Sequence, residues 1–166
     1  MMLRLRPFKT CDADTIVSWV GDETAFRKWC ADRYEDYPIT GEDMAAHYRQ
    51  FDDCDTFFPM TAFDESGVVG HLILRYTDEE KTTVRLGFVI VDDRLRGRGL
   101  GKEMLGLAVR YAREFLGARR VTLGVFENNP AAMRCYLAAG FRETASDEEE
   151  YFSVMGEKWR CIEMEL

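Results

Sequence analysis

The sequence predicts an α/β (α+β) protein built around one mixed, mostly antiparallel sheet of about six or seven strands, with helices on both faces. Apolar runs of strand length open the chain, recur in its middle and close it, and segments with helical periodicity lie between them. In the second half, a strand, a long helix and another strand follow one another directly. Such a crossover is right-handed and makes its two strands parallel neighbours.

The first half of the chain contains the signals of one strand and three short helices. Alternation over residues 3–8 predicts the strand. The first helix can be capped by Asp12 or Asp14, and the second by Asp22. The segment 40–43, Thr-Gly-Glu-Asp, resembles a capping box that opens the third. The first strand therefore leads into three helices before the sheet continues.

The other predicted elements follow from apolar periodicity and from turn residues. They are strands over residues 57–63, 68–76 and 84–91, a helix over 103–115, a strand over 119–126, a helix over 130–139 and a strand over 159–166. The acidic segment 146–150 is predicted to be a solvated loop.

Length and composition narrow the class of protein. A chain of 166 residues is sufficient for one domain, and we expect residues 1–166 to form one. No apolar run approaches the ~20 residues that span a bilayer, and the N-terminus lacks the apolar segment of a secretory signal. We therefore expect a cytoplasmic protein without a membrane partner. The net charge of −8 argues against a nucleic-acid partner and favours a cationic or amine partner.

The cysteines and histidines do not form the pattern of a metal site. The five cysteines are widely spaced and contain no Cys-x-x-Cys pair. Two histidines are too few for a histidine cluster. We therefore expect no metal cofactor and no disulfide framework.

A glycine-rich turn joins the strand that ends at Val91 to the long helix. It contains Gly97, Gly99 and Gly101. Amide groups at a helix start bind anions, and glycine lets the backbone approach a phosphate closely. Neither nucleotide motif fits, because a Walker loop requires glycine where Arg96 stands, and the spacing G-x-G-x-G differs from the dinucleotide pattern G-x-G-x-x-G. Glycines of an ordinary tight turn are the alternative at this point.

Two motifs flank the long helix and the strand that follows it. The first is Arg96-x-x-Gly99-x-Gly101, and the second is Asn-x-x-Ala-x-x-x-Tyr-x-x-x-Gly-Phe over residues 129–141. In this order they resemble the acyl-CoA pyrophosphate loop and the following helix of the GNAT family of N-acetyltransferases. The resemblance covers about residues 83–142. It argues against the alternative that the glycines serve only an ordinary tight turn.

The resemblance implies the GNAT acyl-CoA acyltransferase fold, acetyl-CoA as cosubstrate, and direct attack of an amine on the thioester. It implies that Tyr136 protonates the leaving thiolate. Many family members carry Glu just ahead of the apolar part of the cofactor strand, where this chain has Arg85. The general base is therefore open. The candidates are Glu127, or water relayed to Asp92 or to an acid in the turn 78–80.

The resemblance also implies which residues bind acetyl-CoA, through strand backbone, loop amides and the second motif. They are Val89, Ile90, Val91, Leu95, Arg96, Gly97, Arg98, Gly99, Leu100, Gly101, Lys102, Asn129, Ala132, Arg134 and Tyr136. Acceptor specificity is expected in residues 29–51, because this helical region forms one wall of the acceptor site in the family.

The N-terminal pattern LRLRPF-x-x-x-D-A-D is similar to the GNAT branch that includes ribosomal-protein N-terminal and polyamine acetyltransferases. The implied function is acetyl transfer from acetyl-CoA to a primary amine, on a small molecule or a protein N-terminus, by a monomer or homodimer. A catalytically silent acyl-CoA-binding module, acting as a sensor or partner domain, is the alternative, and the presence of Tyr136 argues against it. A nucleotide-binding protein is a third possibility, and the failure of both nucleotide motifs argues against that.

Overall fold

A computed structural model of the chain describes residues 2–146 and 148–166, and within them lie eight strands and five α-helices. The strands are β1 (Arg4–Pro7), β2 (Phe57–Asp64), β3 (Gly67–Tyr76), β4 (Thr83–Val91), β5 (Arg120–Phe126), β6 (Arg142–Glu143), β7 (Glu150–Val154) and β8 (Glu157–Glu165). The helices are α1 (Ala13–Val17), α2 (Glu23–Cys30), α3 (Gly41–Arg49), α4 (Leu100–Glu114) and α5 (Pro130–Ala138). None of these helices is both long enough and apolar enough to cross a membrane.

The strands form one sheet in the order β1-β2-β3-β4-β5-β8-β6, and β7 also pairs with β8. Every pair is antiparallel except β4 with β5, which are parallel as the crossover through α4 predicts. The predicted mixed, mostly antiparallel sheet is therefore confirmed. Its strand number is higher than predicted because β6 and β7 carry no alternating apolar pattern, and of their residues only Val154 is buried.

The acidic segment 146–150 differs in part from the predicted solvated loop. Glu150 is exposed but begins β7, so the prediction is wrong for that residue. Asp147 lies outside the described residues, and the other three residues are exposed and outside regular elements. Only the end of β7 packs against apolar side chains, where Phe152 and Val154 contact Phe126 and Trp159, and two such residues are too few to predict a strand.

Two of the predicted helix caps are present. Asp22 opens α2, where its side chain accepts a hydrogen bond from the Ala25 amide at 2.7 Å. At α3, the Thr40 hydroxyl accepts from the Asp43 amide at 3.1 Å, and the Asp43 carboxylate accepts from the Thr40 amide at 2.8 Å. This reciprocal pair is a capping box, which satisfies two amides that have no partner inside the helix.

The sheet separates two apolar cores. One core lies against α4 and α5 and includes Leu105, and the other lies under α1, α2 and α3 and includes Phe26. Alternate residues of β3 enter different cores, since Leu72 and Leu74 belong to the first and Ile73 to the second. Burial on both faces explains why the sequence of β3 is almost continuously apolar.

The parallel pairing between β4 and β5 ends early. Three pairs are in register, and the last joins Arg85 to Thr122. Beyond it β4 runs on to Val91 with no partner strand on this side within the described chain. A bulge against β3 places Phe88 at a positive φ of 49° and redirects the backbone of β4. We call the opening between the two strands the splay.

A buried carboxylate fixes the N-terminal strand to the second strand. Asp12 is 3% exposed and accepts hydrogen bonds from both terminal nitrogens of Arg6 at 2.7 and 2.8 Å, from the Lys9 amide at 2.9 Å and from the Thr61 hydroxyl at 2.8 Å. Burial alone raises the pKa of this carboxyl, but the hydrogen bonds from Arg6, Lys9 and Thr61 outweigh burial and lower the pKa to about 2.

We expect Asp12→Asn to lower the free energy of unfolding by about 2–3 kcal/mol at pH 7, since several charge-assisted hydrogen bonds are lost. The folded pKa lies below the unfolded value of about 3.9, so the ionic contribution of Asp12 is complete above that value and is lost as the pH falls toward about 2. Urea unfolding at pH 7 and pH 3 measures both effects.

The control for this prediction is Glu114→Gln, which removes an exposed partner of Arg110 and should change stability by less than about 0.5 kcal/mol. The difference between wild type and Asp12→Asn should be smaller at pH 3 than at pH 7. A difference that does not change between the two pH values contradicts the role assigned to the Asp12 charge.

Candidate active site

A cleft of about 860 Å³ occupies the splay, and both faces of the sheet contribute to its walls. The lining consists of β4 residues 86–91, loop and helix residues 95–97 and 99–102, Leu123 and Gly124 of β5, residues 129–132, Cys135, Tyr136 and Ala138 of α5, and Trp19, Val20, Asp22, Thr24, Ala25, Lys28 and Trp29. The cleft therefore runs from the α4–α5 side of the sheet, through the splay, to the α1–α2 side.

The loop between β4 and α4 has the geometry of an anion site. Gly97 and Gly99 have φ values of 80° and 78°, and Gly99 is the residue that caps the start of α4. Glycine adopts this left-handed conformation without the steric cost that other residues carry. The amides of the first turn of α4 have no acceptor within the helix, and together with the helix dipole they favour an anion.

Arg94, Arg96, Arg98 and Lys102 bring positive charge to the loop and the first turn of α4, and only part of this charge is available to a ligand. Arg94 donates to the buried Asp92 carboxylate, from Nη2 at 2.7 Å and from the backbone amide at 3.0 Å. This hydrogen bonding lowers the pKa of Asp92, which makes the carboxylate a weak proton acceptor and argues against the relay through Asp92. Arg96 and Lys102 line the cleft, whereas Arg98 is exposed and lies outside its lining.

Gly101 is required for a close approach of two helices. A Cβ added to it would lie 2.8 Å from the sulfur of Cys135, closer than real Cβ atoms approach. Glycine in the first turn of α4 therefore lets α5 come close, and both residues line the cleft. Gly99 is therefore needed for its left-handed backbone conformation, and Gly101 is needed for the close packing of α4 against α5.

Tyr136 lies on α5 with its side chain buried and in contact with the cleft. Burial, together with the neighbouring Cys135 thiol, raises the pKa of the Tyr136 phenol. The phenol is therefore protonated at neutral pH and can donate a proton. Because Tyr136 lines the cleft, its hydroxyl can donate to a ligand there.

The structure brings together nearly all of the residues that the sequence analysis assigns to cofactor binding. Each of them lines the cleft except Arg98 and Arg134, whose side chains are exposed. Glu127, the predicted base, does not line it. Its side chain is 61% exposed, and a carboxylate oxygen lies 3.8 Å from Nη1 of Arg160. The roles of these residues stay predictions.

The wall on the α1–α2 side lies earlier in the chain than the range 29–51 expected to set specificity. Of that range only Trp29 lines the cleft, and α3 packs behind it in the second core. The indole nitrogen of Trp29 donates to the Phe88 carbonyl at 2.9 Å and thereby joins the wall to the bulge of β4. The available signal in the sequence was a pair of tryptophans, Trp19 before the Asp22 cap of α2 and Trp29 near the end of that helix.

A charged pair lies at the point where β4 and β5 part. The guanidinium of Arg85 donates to the Glu163 carboxylate of β8 through two hydrogen bonds of 2.6 and 2.8 Å. The pair reaches across Gly124 of β5, which pairs in register with Glu163. Arg85, which stands where the resembled family often has Glu, is thus paired with the carboxylate of Glu163 on the last strand.

Comparison with known proteins identifies the family. The model of the acetyltransferase (GNAT) family matches residues 23–141, which include the glycine-rich loop and the motif of α5. This chain belongs to the GNAT family. The family resemblance expected from the two sequence motifs is confirmed, and the mixed sheet with its splay is the GNAT fold.

Two curated relatives of this GNAT protein come from Bacillus subtilis. The spermine/spermidine N(1)-acetyltransferase of strain 168 is 33% identical over 95 residues, which cover 54% of this chain and 62% of that protein. A probable spermine N(1)-acetyltransferase of subspecies natto strain BEST195 is 32% identical over 95 residues, with the same coverage. The chain thus matches less than two thirds of the length of these relatives.

Solved structures agree in fold at lower identity. The spermidine N-acetyltransferase of Vibrio cholerae in complex with CoA and spermine superposes with a TM-score of 0.81, is 19% identical, and covers 99% of this GNAT chain and 94% of its own. A dodecameric structure of the Vibrio cholerae enzyme in an intermediate state has a TM-score of 0.75 and 18% identity, with coverages of 99% and 92%. At these identities the likeness establishes the fold alone.

Proposed function

We propose that this GNAT protein transfers the acetyl group of acetyl-CoA to a primary amine of a polyamine such as spermidine or spermine. The observation that carries the proposal is one cleft that joins two features. They are an edge of β4 that lacks a partner strand in the described chain, and the anion-binding start of α4. A ligand that fits both features must carry amide groups and phosphates, and CoA carries both.

In this proposal CoA lies along the α4–α5 side of the cleft. Its pyrophosphate binds the amides of the loop 95–101, with Arg96 and Lys102 supplying positive charge. Its pantetheine amides pair with the backbone of β4 at Val89 and Val91. The other proposed contacts that line the cleft are Ile90, Asn129, Ala132 and Tyr136.

The proposed reaction is a direct transfer within a ternary complex. The amine nitrogen forms a bond to the thioester carbonyl carbon, and the bond from that carbon to sulfur breaks. The phenol of Tyr136 gives its proton to the leaving thiolate, the attacking nitrogen releases one proton toward water, and Tyr136 is then reprotonated from solvent. Holding both substrates in one cleft supplies about 7–11 kcal/mol of the barrier.

Three predicted residues lie outside the lining of the cleft, and their roles remain predictions. Glu127 is exposed beside Arg160, so as a base it would receive the amine proton through water. Arg98 and Arg134 are exposed and would bind phosphates of CoA from outside the cleft lining.

The polyamine is proposed as acceptor from two kinds of support. The curated relatives and the solved neighbours carry names of spermidine and spermine acetyltransferases. The net charge of −8 favours the approach of a cationic substrate. The α1–α2 side of the cleft carries one charge of each sign, from Asp22 and Lys28, so the electrostatic support comes from the protein as a whole.

The proposal treats residues 1–166 as one acetyltransferase domain. A monomer or homodimer is the predicted oligomeric state, whereas a neighbour in fold from Vibrio cholerae forms a dodecamer. Sedimentation equilibrium of the purified chain, with and without spermidine, distinguishes these states.

The experiment that tests the function measures thiol release from acetyl-CoA in the presence of spermidine, spermine, amino acids, aminoglycosides and N-terminal peptides. We expect release with the polyamines, because a cationic chain with primary amines suits an acidic protein with this cleft. A protein that binds CoA but releases thiol with none of these amines would instead be the silent acyl-CoA-binding module.

Binding of CoA should depend on Gly99. At one hundred times its dissociation constant, CoA should stabilise the wild type by about 2.7 kcal/mol in thermal unfolding. Gly99→Glu should abolish this shift because it places a carboxylate where the phosphates bind. The matched control is Gly117→Glu, which also replaces a glycine at positive φ, 69°, beyond the other end of α4. Equal CoA shifts in the two variants would place the phosphates elsewhere.

Turnover should depend on the hydroxyl of Tyr136. Tyr136→Phe keeps the ring and its packing, so we expect CoA affinity to be unchanged and kcat to fall about 10²- to 10⁴-fold through loss of the proton donor. Tyr111→Phe on α4, outside the lining of the cleft, is the control and should keep full kcat. If Tyr136→Phe folds, binds CoA and turns over like the control, Tyr136 is a packing residue.

A further inference from the structure

The ion pair of Arg85 and Glu163 lies against the wall of the cleft at the splay. Gly124 lines the cleft, and a Cβ added to it would lie 2.5 Å from Nη2 of Arg85 and 3.3 Å from Oε1 of Glu163. Any larger residue in place of Gly124 would therefore displace the pair. The pair begins where the parallel pairing of β4 and β5 ends, at the register pair of Arg85 with Thr122.

The pair belongs to the α1–α2 face of the sheet. Arg85 pairs in register with Arg75, which lies two residues after Ile73 on β3 and hence on the same face. Ile73 packs in the core under α1, α2 and α3. The anion-binding loop and Tyr136 line the cleft from the region of α4 and α5. Neither Arg85 nor Glu163 lines the cleft itself. The pair lies directly beside Gly124, which does, so a second substrate on the α1–α2 face reaches the pair at this glycine.

The surroundings of Glu163 favour a cation. The ligating atoms of Glu163, Glu150 and Cys161 lie within 4.8 Å of one another, and burial, opposed in part by Arg85, raises the pKa of the Cys161 thiol to about 11, so the thiol is neutral. On the side away from Gly124, a cavity of about 490 Å³ opens onto the same strand. Its charged lining consists of Glu143, Glu148, Glu149, Glu150, Glu163 and Arg160. Arg160 lies 3.8 Å from the Glu143 carboxylate and 3.9 Å from that of Glu149, and Arg75 and Arg85 lie on neighbouring strands of the sheet.

Glu163 keeps free acceptor capacity despite its partner. A carboxylate offers about four lone-pair positions, and Arg85 uses two of them. The Glu163 side chain is 34% exposed, so the remaining positions are accessible. The two hydrogen bonds from the planar guanidinium fix the orientation of the carboxylate, which reduces the entropy lost when a further donor binds.

We propose that Glu163, oriented by Arg85, is the carboxylate that binds the ammonium group of the acceptor at the splay. The inference rests on the proposed acetyltransferase function and adds an acceptor-binding residue to it. Glu163 binds and positions the amine by accepting hydrogen bonds from its nitrogen. The bound ammonium first gives one proton to water, because only the neutral amine has the lone pair that attacks. The attacking nitrogen then releases a second proton to water, as in the proposed reaction, and Glu163, held by Arg85, positions the nitrogen throughout.

The test compares two glutamates of β8 that are matched in setting. Glu163 is paired with Arg85 and its side chain is 34% exposed, while Glu165 is paired with Arg120 and its side chain is 30% exposed. Both lie on the same face of the strand, but Glu165 pairs with Thr122, before the splay opens. Glu163→Gln should raise the dissociation constant for spermidine, titrated by calorimetry into the CoA-saturated protein, by about 10- to 100-fold. Glu165→Gln should leave it unchanged.

Kinetics give an independent readout. Glu163→Gln should raise KM for spermidine by the same factor, with KM for acetyl-CoA unchanged and kcat within about threefold of wild type. Glu163→Asp, which keeps the charge on a shorter side chain, should lie between wild type and Glu163→Gln, and it serves if the Gln variant does not fold.

Equal spermidine affinities in the Glu163 and Glu165 variants overturn the proposal, as does a fall in kcat with no change in KM. The wild type could fail to acetylate any amine and still bind spermidine in a way that depends on Glu163. That result rejects the proposed function but leaves the binding role of Glu163 standing. A wild type that binds no spermidine in the presence of CoA rejects the inference.

Discussion

The separation of β4 and β5 after only three parallel pairs is the constraint on which the rest of the site depends. Backbone amides and carbonyls beyond Arg85 have no partner strand on that side in the described chain, and such groups are costly to leave unsatisfied away from water. The cleft that results is bounded by backbone at the splay and by helix amides at the start of α4. Its recognition chemistry is therefore mostly that of the main chain, which few side-chain substitutions can remove.

The two cores hold the splay open from opposite faces. On one side α4 and α5 approach closely because Gly101 leaves room for Cys135. On the other side Trp29 binds the carbonyl of Phe88 and fixes the bulge of β4 against α2. Because interiors of this kind are closely packed, both cores contribute to the shape of the cleft.

Paired charges of arginine and carboxylate occur at three structurally important places. Arg6 holds Asp12 between the first strands, Arg94 holds Asp92 at the start of the loop, and Arg85 holds Glu163 at the splay. The first two pairs join residues close in the chain and stabilise local geometry. The third joins β4 to β8 across β5, and in our proposal it orients the carboxylate that binds the acceptor.

The sequence by itself determined most of the helices and central strands and the parallel crossover, because periodicity, caps and turn residues are local properties. The loop and α5 residues that line the cleft were indicated by the resemblance of two sequence motifs to the GNAT family. Only the tertiary structure decided that β6 and β7 extend the sheet, that the wall comes from residues 19–29, that Glu127 lies apart from the cleft, and that Glu163 reaches the splay. The physical reason is separation along the chain. Arg85 and Glu163 are 78 residues apart, and no local pattern encodes which strands become neighbours or where their pairing ends.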